Sequence, residues 1–148
     1  MSPKQREAIR SMFGGKCAYC GVQLPDKGWH ADHIQPVLRK IKYVPVEGDY
    51  YRSHKAVFTG EYFMPENHRD DNYFPSCAKC NIEKGGNTLE GFRQGLERKV
   101  QSLRNNSGAF RHAERYGMVA IVKEKIVFHF ELCAPVAPVA PDTRQEGE

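Results

Sequence analysis

Nothing along the chain approaches the ~18 consecutive apolar residues that a membrane-spanning helix needs, so a membrane helix is not expected. The start, Met1-Ser2-Pro3-Lys4-Gln5-Arg6, lacks the apolar stretch of a signal peptide, so secretion is not expected either. A strong charge of one sign is also missing. Lys and Arg number 22 and Asp and Glu 18, a formal charge of +4, which excludes a histone-like polycation. Repeats are absent apart from two Cys-x-x-Cys pairs. What the cysteines lack is an even number: there are five, so they cannot all join in intramolecular disulfides.

What is present fits one soluble domain. The 148 residues are 40% hydrophobic and 27% charged, the balance of an ordinary globular fold. From Ala134 onward the chain is Pro/Ala-rich and then polar, which predicts a disordered tail over 134–148 and a single domain over 1–133. That tail carries one arginine and three acids, a charge of −2, so the body without it stands at +6.

The expected fold class is α+β. Ser2, Pro3 and Gln5 form a capping signature for a short helix with an apolar stripe at Ala8, Ile9, Met12 and Phe13, stopped by Gly14-Gly15. Trp29 to Ile34 predicts a short strand. Residues 37–71 carry Pro45 and Pro65, several aromatics and no sustained period. They predict a long, mostly irregular connection with room for one hairpin, a length that signals function or disorder. Pro75 to Lys84 predicts a helix ending at Gly85-Gly86. Leu89, Phe92, Leu96, Val100 and Leu103 predict one amphipathic helix capped by Asn87, and Ala109 to Tyr116 a shorter one. Met118–Val122 and Ile126–Leu132 predict a C-terminal hairpin turning at Lys123-Glu124, with Ile126, Phe128, Phe130 and Leu132 on one face.

The cysteines form the pairs Cys17/Cys20 and Cys77/Cys80, 56 residues apart, plus Cys133. Without a secretion signal, two such pairs point to a four-thiolate zinc site rather than a disulfide framework. Filling all four tetrahedral positions leaves none open, so the expected zinc is structural. The bland reading is two pairs of free thiols or a redox motif. Neither pair closes a βαβ pattern, which disfavours it. Cys133 is expected to pack as a small apolar residue.

Between and beside the pairs stand Asp32-His33-Ile34 and Asn72, with Asn81-Ile82-Glu83-Lys84 after the last cysteine. These residue types suit phosphodiester hydrolysis, which needs a base for water, a hard divalent ion and a nearby cation. His33 suits the base at neutral pH. Asp32 and Asn81 are hard oxygen ligands for Mg²⁺ or Mn²⁺. Lys84 lies one helical turn from Asn81, placed to add charge at a phosphate. In a regular strand Asp32 and His33 would face opposite sides, so the strand must end or twist there.

Taken together, Cys17-Ala18-Tyr19-Cys20, Asp32-His33-Ile34, Asn72 and Cys77-Ala78-Lys79-Cys80-Asn81 resemble the HNH endonucleases. The resemblance covers Cys17 to about Lys84, the core of the expected domain, with the C-terminal helices and hairpin filling 87–133. It implies a ββα-metal, treble-clef-like core with four-cysteine zinc knuckles. In such a core His33 activates water and Asp32 and Asn81 hold the catalytic metal. Asn72 holds the loop and orients the backbone of His33. The Asn at the last position is a common variant, and the long 37–71 insertion is a departure. The resemblance further implies double-stranded DNA as partner, no membrane, and a cytoplasmic protein of prokaryotic or phage origin.

Arg39, Lys40 and Lys42 form a basic cluster after the motif, candidates for DNA backbone contact together with Arg52, Lys55, Tyr43, Tyr50 and Tyr51. A plain solvated face is the competing reading. Trp29 is expected in the core. His30 is expected on the strand surface, and His54, His68, His112 and His129 in solvated positions. The rival function is a non-catalytic zinc-containing nucleic-acid-binding module. It has no need of Asp32, His33, Asn72 and Asn81 together.

Overall fold

The computed structural model describes residues 1–48, 53–122 and 125–133. The expected tail over 134–148, the turn residues Lys123 and Glu124, and the candidate DNA contacts Tyr50, Tyr51 and Arg52 lie outside them. Helix α1 spans Pro3–Ser11 and starts as its capping residues dictate. Ser2 Oγ accepts from Gln5 N at 3.2 Å and Gln5 Oε1 accepts from Ser2 N at 2.7 Å. The chain then reverses through Phe13, whose left-handed φ of 55° is unusual for a side chain with a Cβ. Its ring stands edge-on to Phe74 with centroids 5.3 Å apart.

Two antiparallel strand pairs follow. Strand β1, His30–His33, pairs with β4, Tyr73–Ser76, in the register His30↔Ser76 to His33↔Tyr73. Strands β2, Arg39–Pro45, and β3, His54–Tyr62, pair with each other in the connection between them. The expectation of a mostly irregular 37–71 is therefore corrected: the hairpin dominates it. No alternating pattern announced it because nearly every residue of both strands is exposed or half-buried. A strand with no core-facing side needs no apolar period.

Helix α2, Ala78–Lys84, begins three residues later than expected, since Tyr73–Ser76 is strand. It ends at Gly85 in a left-handed turn. At Gly86 a Cβ would stand 2.4 Å from Leu38 Cδ2, so glycine lets the helix end approach the base of the hairpin. The expected single helix over 89–103 is two, α3 (Leu89–Glu97) and α4 (Lys99–Asn106), joined at Arg98. Only the first half of the apolar stripe docks. Phe92 is buried, with Leu89 and Leu96 packed against the same core, whereas Leu103 is exposed. Helix α5 is Gly108–Arg115.

The expected C-terminal hairpin is corrected too. Residues 118–122 and 126–128 are not strand, and His129–Leu132 turn as a 3-10 helix. Phe128 and Phe130 sit beside Tyr19, Phe92 and Phe74, while Leu132 is exposed. The aromatics pack as a cluster, not as one face of a ladder. The core comprises Ile9, Cys17, Tyr19, Leu24, Trp29, Tyr73, Phe92 and Phe128. Each large side chain so buried stabilises by roughly 1.5–3 kcal/mol. No helix of the described residues is long and apolar enough to cross a membrane.

Candidate metal centre and the adjoining histidine site

The two cysteine pairs reach one point from different elements. Cys17 and Cys20 sit on a tight turn closed by Gly21 N to Cys17 O at 2.9 Å and Cys17 N to Val22 O at 2.9 Å. Cys77 caps α2, its Sγ accepting from Cys80 N at 3.5 Å, and Cys80 lies in the first turn. The four sulfurs lie within 4.8 Å of one another, with Cys20 Sγ 3.9 Å from Cys77 Sγ. Tetrahedral Zn²⁺ at about 2.3 Å from each sulfur requires S···S separations of about 3.8 Å. The donor set therefore fits a structural ion such as zinc. Hydrogen bonding, foremost from Cys80, pulls Cys17 down to about 4. Its hydrogen bond to Cys17 pushes Cys80 up, and burial pushes Cys20 up. Four thiols this close disfavour more than one thiolate among them, and a bound cation offsets that repulsion so that all can deprotonate.

Asp32 and His33, the last two residues of β1, point to opposite sides. Asp32 is 8% exposed. Its Oδ2 accepts from the Tyr19 hydroxyl at 2.5 Å and pairs with Lys84 Nζ at 3.2 Å. Lys84 is fully buried, and its ammonium also donates to the His33 carbonyl at 2.7 Å. That placement differs from the expectation for Lys84. A fully buried ammonium does not touch a phosphate; it neutralises Asp32 and pins the backbone of His33. Burial, then the Asp32 carboxylate, push the Tyr19 hydroxyl up, so it stays a donor. Tyr19 went unnoticed in sequence, where the only signal was an aromatic inside a Cys-x-x-Cys turn.

On the other side, the His33 ring lies 4.5 Å from that of Tyr73, its cross-strand partner. His33 Nε2 is 3.1 Å from His68 Nδ1. Burial, then the neighbouring His68, hold His33 below the ordinary imidazole value and favour the neutral ring. His68 was expected in a merely solvated position. It is exposed but belongs to the site, and no motif surrounds it to say so.

Asn72 is 2% exposed and spends its whole amide on backbone. Oδ1 accepts from Gln35 N at 2.8 Å, and Nδ2 donates to Gln35 O at 2.9 Å and Asn67 O at 2.7 Å. Asn67 Nδ2 in turn donates to Pro36 O at 3.0 Å. The loop leaving His33 is thereby tied to the loop carrying His68. Asn81 is half-buried on α2. Residues three apart share a helix face, so Asn81 lies on the side from which Lys84 reaches β1.

The basic cluster falls on the β2–β3 hairpin. Lys42 is exposed, Lys40 pairs with Glu61 at 3.0 Å, and the Arg39 guanidinium lies 5.6 Å from the Phe58 ring centroid. No protein-family model matches this chain, and no curated protein or solved structure does either.

Proposed function

We propose that the protein is a metal-dependent HNH endonuclease hydrolysing phosphodiester bonds of double-stranded DNA. The observation that carries this reading is the arrangement around the end of β1. A neutral, half-buried His33 is the last residue of β1, held by Lys84 and by the loop clasp of Asn72, with Asn81 on the adjoining helix. The strand's ending at His33 is, on this reading, what lets Asp32, from its other side, border the same phosphate. In this reading β1, β4 and α2 are the ββα-metal, treble-clef-like core, and the four thiolates hold its zinc.

A carboxylate and an amide are hard oxygen donors, the set that suits Mg²⁺ or Mn²⁺ with water completing the shell. In this reading Asp32 and Asn81 would hold the ion, with Oδ2 of Asp32 keeping its contacts to Tyr19 and Lys84. When bound, such an ion supplies Lewis-acid stabilisation of charge on the phosphate and on the departing oxygen. His33 takes the proton from the attacking water. Asn72 keeps the loop after His33 in place. Lys84 acts through position, holding the His33 carbonyl and balancing Asp32. Arg39, Lys40 and Lys42 contact the DNA backbone from the hairpin, so affinity falls as salt rises.

The test is a plasmid-nicking assay with Mg²⁺ or Mn²⁺, EDTA as control, and His33→Ala beside the wild type. The wild type should nick only with metal. His33→Ala should lose at least about 100-fold in rate while keeping its zinc and its affinity for duplex DNA. Unchanged cleavage by the variant overturns the mechanism. Duplex binding without any wild-type nicking favours instead a non-catalytic zinc-containing module.

A further inference from the structure

The geometry points to His68 as the positioning residue for His33: its bare Nδ1 accepts the His33 Nε2 proton, which fixes the tautomer whose Nδ1 carries the lone pair. This inference rests on the reading of His33 as a base and deepens it. The residue comes from the insertion that separates the motif halves, not from the motif.

Two groups converge on His68 Nδ1. His33 Nε2 lies 3.1 Å away and the Tyr73 hydroxyl 3.4 Å away. A neutral imidazole has one donor nitrogen and one acceptor nitrogen. A phenol is a strong donor and a weak acceptor, and burial raises the Tyr73 hydroxyl further above its ordinary value, so it keeps its proton. A protonated hydroxyl 3.4 Å from His68 Nδ1 favours that nitrogen as an acceptor. The closer contact, 3.1 Å to His33 Nε2, is then met by a proton on Nε2 that shares the same lone pair. The remaining nitrogen of His33, Nδ1, is left unprotonated, as a base acting on water requires.

The ring of His68 is itself held. It stacks on Tyr62, the last residue of β3, with centroids 6.3 Å apart and planes 14° from parallel. Its backbone N–H donates to Pro65 O at 2.9 Å. The Asn72 and Asn67 clasp joins this segment to the loop after His33. The hairpin therefore delivers at its base the side chain that orients the base of the site. An imidazole in place of a fixed carbonyl or carboxylate does the orienting that a neutral histidine needs.

The experiment uses the zinc-loaded full chain and a pair of substitutions. His68→Phe keeps a flat ring for Tyr62 but has no nitrogen. His68→Asn keeps an acceptor near the position of Nδ1. Nitrogen-15 NMR of the imidazoles at pH 8 reads the His33 tautomer directly, without reference to any activity. Wild type and His68→Asn should show His33 protonated at Nε2 alone. His68→Phe should show a mixture, and in the nicking assay its kcat should fall by at least about tenfold with KM unchanged, His68→Asn staying close to wild type. A His33 protonated at Nδ1 in the wild type, or a tautomer unmoved in His68→Phe, overturns the inference. If the tautomer moves as stated but the wild type never nicks DNA, the positioning stands and the nuclease reading fails.

Discussion

Among the described residues the chain builds two antiparallel strand pairs by opposite means. β1 and β4 have four residues each, and β2 and β3 have seven and nine. The short pair holds the buried Asp32, Tyr73, Pro75 and Ser76, with α1 and α2 packed on it. The long pair packs chiefly on itself among the described residues and exposes both faces, Ile41 (51%) and Tyr43 (68%) on one and Lys42 on the other. A two-stranded hairpin alone is marginal in water. Ladder length therefore says little about where this fold is held. The short pair is anchored by the thiol cluster and by a charge balanced inside the core, while the long pair is free to serve as a contact surface.

That contrast breaks most severely if the thiols are not what anchors the short pair. Cys77→Ser, or zinc removal by a chelator, should unfold the β1–β4 unit. Structural zinc in small domains is worth on the order of 10 kcal/mol. Trp29 is the one tryptophan and is buried against the Arg6 guanidinium at 4.0 Å, so its fluorescence reports the loss. A chelated protein with native fluorescence and an unshifted melting temperature would contradict the anchoring role.

A smaller but still large effect is expected at Lys84. Lys84→Met leaves the Asp32 carboxylate buried without its ammonium, at a cost of about 3–5 kcal/mol in thermal or urea unfolding. Adding Asp32→Asn removes the stranded charge and should recover a good part of that. A single variant as stable as the wild type would mean that the pair is incidental to the core.

The smallest stability change is expected on the long pair. Lys42→Ala should shift stability by no more than about 0.5 kcal/mol. It should still lower the slope of log affinity for duplex DNA against log salt by about one. A melting shift without a change in salt slope would place Lys42 in the fold and not in the contact surface.

How much of this was legible beforehand varies with the kind of interaction. The capping box of α1 and the two thiol pairs are local patterns, and local patterns survive into the structure because neighbours along the chain meet whatever the tertiary fold. The hairpin over 39–62 lacked an apolar period because neither face is buried. The break at Arg98 arises because the core accepts Leu89, Phe92 and Leu96 and nothing beyond. The expected C-terminal hairpin failed because the alternation of Ile126, Phe128 and Phe130 serves an aromatic cluster with Tyr19, Phe74 and Phe92 rather than a strand partner.

The sequence by itself determined the four-thiol set and its suitability for zinc, since ligand type and spacing within each pair are properties of short segments. It also determined the choice of Asp32, His33, Asn72 and Asn81 as chemically apt residues. Only the tertiary structure decided that Lys84 lies fully buried against Asp32 and the His33 carbonyl, that Asn72 clasps two loops, and that His68 meets His33. The contacts of Lys84 with Asp32 and His33, of Asn72 with Gln35 and of His68 with His33 join residues 35 to 52 positions apart. Whether such partners meet depends on how the intervening chain closes, and no pattern within a single segment encodes that.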